Sequence, residues 1–140
     1  MRESDIRQLA ITYARRADER ALDGFAELFT EDGWLTISEG GEERAAFRGR
    51  DELRRVLAPM AQYERTLHVV TNHEIDGDAG SVYCIANHLR GRGDEHENIR
   101  MLIEYADRYA EVDGAARFAS RAVDILWVER VPALVGRLRV

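Results

Sequence analysis

Lysine is absent: all 20 basic residues of the chain are arginine. No lysine Schiff base can form on this protein, and no lysine can serve as its base or nucleophile. The one cysteine, Cys84, excludes an internal disulfide framework and fits a reducing compartment. No apolar run approaches the roughly 20 residues that a bilayer-spanning helix needs. The polar start Met-Arg-Glu-Ser-Asp has none of the shape of a secretory signal. The expectation is a cytoplasmic protein with no membrane partner. A basic stripe is missing too: with a formal charge of −6 and scattered arginines, no nucleic-acid surface is expected.

Metal-ligand and nucleotide patterns are equally scarce. His68 and His73 are an odd number apart on one strand pattern, which predicts that they face opposite ways. His96 falls in the charged loop Arg90 to Glu97. Gly91 and Gly93 in that loop are not followed by a helix, so they make no nucleotide fingerprint. Neither a metal nor a cofactor is expected.

What is present is an ordinary globular balance, 45% hydrophobic and 33% charged over 140 residues, enough for one domain, 1–140, with its own core. Ile6, Leu9, Ala10, Tyr13, Ala14, Ala17 and Ala21 recur at helical spacing and predict a helix from about Glu3 to Leu22, with Ser4 or Asp5 as its cap. A short helix over Gly24 to Phe29, a turn at Thr30–Gly33 and strands at Trp34–Ser38 and about Ala45–Arg48 follow. A third helix is expected over Arg50 to Ala61. The period then changes from helical to alternating, predicting strands at about 65–76, 80–90, 97–112 and 116–130. The segment Val131 to Val140 reads as a docked tail or an oligomer contact. Helices first and long antiparallel strands afterwards predict an α+β domain with helices on one face of a curved sheet.

Two histidines lie in adjacent strand patterns joined by Asp76-Gly77-Asp78-Ala79-Gly80. A three-residue hairpin loop, Gly77 to Ala79, pairs Asp76 with Gly80 and sets His68 directly opposite His88 on one face. Thr66, Val70, Asn72, Val82, Cys84 and Ala86 share that face. The same loop length after Val112 opposes Tyr105 to Val123, Ile103 to Ile125 and Met101 to Trp127. Asp18 stands one helical step from the apolar stripe of the first helix, at the Ile11, Ala14, Asp18, Leu22 spacing. A neutral imidazole oriented by a carboxylate is a general base that needs no extreme pKa shift. Asp18, His68 and His88 are therefore the candidate catalytic residues. The bland alternatives are a solvated Asp18 and two hydrogen-bonded core histidines. Tyr13 and Tyr105 are candidate phenolic donors, Tyr13 reading better as core. Trp34, Val70, Asn72, Met101 and Trp127 are the remaining candidates for lining a pocket. Cys84 has no evident activator and reads as buried and inert.

The stretches Tyr13-Ala-Arg-Arg-Ala-Asp18, Phe25-Ala-Glu-Leu-Phe-Thr-Glu-Asp32, Arg48-Gly-Arg-Asp51, Thr66-Leu-His-Val-Val-Thr-Asn72, Val112-Asp-Gly114 and Asp124-Ile-Leu-Trp127 carry a resemblance. In this order they resemble the SnoaL-like branch of the nuclear transport factor 2-like superfamily, over nearly the whole chain. The resemblance implies a cone-shaped, curved mixed sheet around a pocket, with helices packed on its concave side, and a homodimer or higher homo-oligomer. It also places His68 where dehydratases and a dehydrochlorinase of the superfamily carry their base, Asp18 where they carry its partner, and His88 at a second pocket histidine. Ala17 stands where the scytalone dehydratase type has a tyrosine, and Tyr105 where it has an asparagine.

The function expected is a cofactor-free lyase or isomerase, of dehydratase or cyclase type. His68, oriented by Asp18, removes a proton from an apolar polyketide-, steroid- or aromatic-like substrate, and His88 and Tyr105 donate to the oxygen that gains charge. The rivals are a non-catalytic ligand-binding protein and a dimeric adaptor on the same fold.

Overall fold

The computed structural model describes residues 1–136. Helix α1, Glu3–Glu19, buries Ile6, Leu9, Ala10, Tyr13, Ala14 and Ala17, the stripe expected from their spacing. Its start differs from expectation. Arg2 is the N-cap residue, with no side-chain cap, and its carbonyl takes the amides of Asp5 and Ile6, so Ser4 and Asp5 lie inside the helix. Its end comes early because Arg20 turns left-handed, φ 57°, which breaks the helical bond pattern before Leu22. Helix α2 covers Leu22–Ala26, starting two residues and ending three residues ahead of the expected span.

Strand β1 runs over Phe29–Glu39 and absorbs the expected turn at Thr30–Gly33. The turn residues survive as a register irregularity between Phe29 and Trp34. A Cβ at Gly33 would meet Phe29 and the Phe118 carbonyl too closely, so only glycine fits there. Strand β2 is Glu42–Arg48 and helix α3 is Gly49–Leu53. The expected helix to Ala61 continues only as a 3-10 segment, Arg54–Gln62, with Pro59 inside it. Proline brings no amide and its ring crowds the carbonyl four residues back, so regular α-helix is lost there.

Four long strands complete the chain: β3 Arg65–Asp76, β4 Ala79–Arg92, β5 Glu95–Val112 and β6 Ala115–Ala133. They form a six-stranded sheet in the order β2-β1-β6-β5-β4-β3. β1 and β6 are parallel and the other neighbours antiparallel. Val131 to Ala133 belong to β6, where Ala133 pairs with His96; the last four residues of the expected tail lie outside the described residues.

Both hairpin loops are one residue shorter than expected. Asp76 pairs with Ala79 and Val112 with Ala115. Run on without interruption, the first pairing would place His68 against Asn87, on the wrong face. A bulge between Thr71 and Glu74 corrects it, so that His68 opposes Ala86 and His88 opposes Thr66. The two histidines share a face after all, staggered diagonally. In the second hairpin an irregularity at Arg108/Tyr109 restores Tyr105 against Val123 and Ile103 against Ile125. A further one at Leu102/Ile103 sets Met101 against Val128, not Trp127.

The core lies between α1 and the inner sheet face. Phe25, Phe29, Leu35, Leu53 and Phe118 are fully buried, each contributing about 1.5–3 kcal/mol of burial. Among the described residues no helix is long and apolar enough to cross a membrane.

Candidate active site

Asp18 sits in the last turn of α1, and β3 passes beside it. His68 Nδ1 lies 2.6 Å from Asp18 Oδ1, the His68 amide donates to Oδ2 at 3.0 Å, and the Thr66 hydroxyl donates to Oδ1 at 3.0 Å. A carboxylate only accepts, so Nδ1 carries the ring proton and Nε2 of the neutral ring holds the lone pair. Burial alone would raise the Asp18 pKa, but the bonds from the His68 ring, the His68 amide and Thr66 outweigh it and hold the carboxyl below its ordinary value. Asp18 is thus the anionic partner that fixes the tautomer of His68.

A cavity of about 280 Å³ lies against this pair, in the seam between α1 and the edge strand β3. Ile11, Ala14, Leu67 and Val70 form its apolar walls, and Arg15 lines it as well. Among the described residues Arg15 has no hydrogen bond and no ion pair, so its guanidinium is free to meet a ligand. Arg15 was not legible as a site residue, because it stands in the polar cluster Arg15 to Arg20 that reads as a solvated face.

His88 lies 5.8 Å from His68 and 4.8 Å from Tyr63, ring centre to ring centre, and is 2% exposed. Its Nδ1 donates to the Ile99 carbonyl at 2.9 Å. Burial lowers its pKa, with the Ile99 bond opposing and the His68 ring adding to the drop. The ring is neutral, its proton is committed to Ile99, and Nε2 offers a lone pair. The donor role expected for His88 therefore has no N–H to perform it.

Tyr13 and Tyr105 are in the core, away from the dyad. They sandwich the guanidinium of Arg121, whose carbon lies 4.2 Å and 3.7 Å from their ring centres. Arg121 is fully buried and pairs with Asp107 through two bonds, of 2.7 Å and 2.9 Å. Burial raises the Tyr105 hydroxyl well above its usual range and pushes Tyr13 up to about 12. Neither phenol lines the dyad cavity: Tyr13 is core, as its spacing suggested, and the donor role expected of Tyr105 is corrected. The Asp107–Arg121 pair was missed although the expected register already opposed the two residues. An acid and a base facing each other beside Tyr105 was the signal.

The remaining candidates divide by face. Val70 lines the dyad cavity, and Asn72 lines the adjoining one from the β3 bulge. Met101 is half-buried on the inner face, in the row His68–Ala86–Met101. Trp34 alternates with the buried Leu35 and lies under the Arg48 guanidinium, off the inner face. Trp127 is 54% exposed, on the outer face opposite Leu102. Neither tryptophan lines the dyad cavity. Cys84 is buried, with its thiol pushed by burial up to about 11. His73, expected to face away from His68, is turned inward by the bulge, its Nε2 donating to the Tyr109 hydroxyl at 2.9 Å; that hydroxyl in turn donates to Asp107.

A six-stranded mixed sheet with α1 laid on its inner face is the nuclear transport factor 2-like fold, and here an acid–imidazole pair sits at the junction of helix and sheet. The chain belongs to the SnoaL-like domain family, whose model matches residues 2–122. Among curated proteins none matches the chain in sequence at a significant level. A provisionally assigned scytalone dehydratase from Novosphingobium aromaticivorans is similar in structure, with a TM-score of 0.73 and 21% identity over 98% of this chain and 95% of that one. A hexachlorocyclohexane dehydrochlorinase, LinA type 2, superposes with a TM-score of 0.70 and 18% identity over 96% and 89% of the two chains. ActVI-ORFA of Streptomyces coelicolor does so with 0.69 and 20% identity over 88% and 96%. At these identities the likeness shows the fold.

Proposed function

We propose that the protein is a cofactor-independent lyase or isomerase in which His68 is the general base. The observation that carries this reading is the 2.6 Å Asp18–His68 contact fronting a cavity. Nε2 takes a proton from a carbon next to a carbonyl or a leaving group. The electron pair of that C–H bond moves into the carbonyl or expels the leaving group. Asp18 stabilises the imidazolium that forms, and Arg15 meets the negative charge that builds on the oxygen or departing group. The apolar walls suit a flat, mostly apolar molecule of polyketide, steroid-like or aromatic type. Dehydration and dehydrochlorination, named for two similar folds, both remove a proton together with a leaving group.

Exchange of the α-protons of 2-tetralone in deuterium oxide, followed by NMR, tests the proton step directly. Wild-type protein should catalyse the exchange. His68→Ala should lower its rate by about 10²–10⁴, the usual value of a positioned base. Binding without exchange would instead favour a non-catalytic carrier.

The same reading includes a homodimer. On the outer face Val69, Ile85, Leu102 and Trp127 pair in one continuous row across four strands. Leu67, Val69, Tyr83 and Trp127 are exposed there. An apolar row of this kind is a surface that a second copy covers.

A further inference from the structure

The cavity beside the dyad does not end there. It adjoins a second, of about 240 Å³, and the two share Ile11 and Val70 as walls. The second reaches Arg7 on α1 and Thr71, Asn72 and His73 on β3. Together they make one groove with a helix stripe, Arg7, Ile11, Ala14, Arg15 and Asp18, on one side and edge strand β3 on the other. Arg7 and Asp18 are eleven helical steps apart on α1, which is about 16 Å at helical rise. The strand between His68 and His73 spans a similar length. The middle of the groove is apolar: Ala10, Ile11, Val70 and Val82.

The far end carries a positive charge. Arg7 leans across the seam to donate one N–H to the His73 carbonyl at 2.9 Å, and its other nitrogen is only loosely paired with Glu3, at 3.8 Å. Spare guanidinium donors therefore remain beside the Thr71 hydroxyl and the Asn72 amide. Beyond this point the hairpin cavity is lined by Glu74 and Asp76. Those acids repel an anion and mark where a negatively charged ligand must stop.

We propose that the groove takes an elongated apolar carboxylic acid, with its carboxylate held by Arg7 and its other end beside His68. The assignment of His68 as the reacting end rests on the function proposed above. The contact with Arg7 does not. A carboxylate held by Arg7, some 10–15 Å from the reacting carbon, fixes the direction in which the ligand lies.

Titration calorimetry with decanoate and decanol, two probes of equal chain length, one anionic and one neutral, tests this. The wild type should bind decanoate at least tenfold more tightly than decanol. Arg7→Ala should weaken decanoate at least tenfold and leave decanol unchanged, with Arg7→Lys recovering part of the loss. Arg7 is half-exposed, and an unchanged melting temperature verifies that the variant is folded. Equal affinity for the two probes, no binding of decanoate, or an Arg7→Ala variant that still prefers decanoate overturns the proposal. His68→Ala separates it from the catalytic reading. That variant should retain decanoate binding while losing tetralone exchange, so either idea can fail while the other stands.

Discussion

Asp18 does two jobs through three hydrogen bonds. It orients the His68 ring and it pins the start of β3 to the end of α1 through the His68 amide and Thr66. Asp18→Asn keeps the shape but gives the ring an amide that can present either a donor or an acceptor, so the tautomer is no longer enforced. Exchange of tetralone protons should fall about 10²–10⁴-fold in this variant, with near-native circular dichroism. His88 governs the response to acid. Its folded pKa lies below its ordinary value of 6.5, so the unfolded chain binds more protons than the folded one as pH falls through that range. Stability is therefore full above about pH 6.5 and is lost on acidification. His73, also lowered by burial first, acts in the same direction. Thermal melts should show a lower midpoint at about pH 5 than at about pH 7, and His88→Gln should flatten that slope. Asp107 marks the other extreme of burial. It and Arg121 are both sealed from solvent, so Asp107→Ala leaves a buried, uncompensated guanidinium. A loss of about 3–5 kcal/mol is expected in urea unfolding.

At the scale of elements, the bulge in β3 decides which residues reach the site. Two-residue loops close both hairpins, and alone they would have turned His68 outward. The extra residue at Asn72–His73 reverses the parity, keeps His68 and His88 on one face and brings His73 inward to Tyr109. Asn72 holds this bend with φ 53°, a left-handed conformation that asparagine tolerates and β-branched residues do not. Asn72→Val should cost about 1–2 kcal/mol while Asn72→Gly stays close to wild type, measured as urea midpoints. Alternation made every strand legible, because burial on one face of a sheet leaves a period of two. Loop length and bulges were not legible, since each adds or removes a single residue and leaves the local pattern intact. The expected same-face pair survived because a shorter loop and a bulge cancelled. Met101 and Trp127 were mispaired because a further irregularity near Leu102 had no counterpart to cancel it.

At the scale of the whole molecule, the outer sheet face carries a continuous stretch of unburied apolar surface, with Leu67, Val69, Tyr83 and Trp127 exposed. Trp127→Glu, at the end of the Val69–Ile85–Leu102–Trp127 row, should convert the proposed dimer to a monomer in sedimentation velocity, with the tetralone exchange of each chain retained. A wild-type chain that sediments as a monomer removes that surface from consideration. The amino-acid order by itself determined the α+β class and the strand positions, because periodicity is a local property, and its motifs carried the resemblance to the family that implied an Asp18–His68 pair. It could not determine that His88 spends its proton on Ile99, that Tyr13 and Tyr105 enclose a buried arginine, or that Arg15 rather than a phenol fronts the cavity. Those depend on where chain segments far apart in order come to rest, and a hydrogen-bond partner or a shielded charge exists only once both segments have arrived.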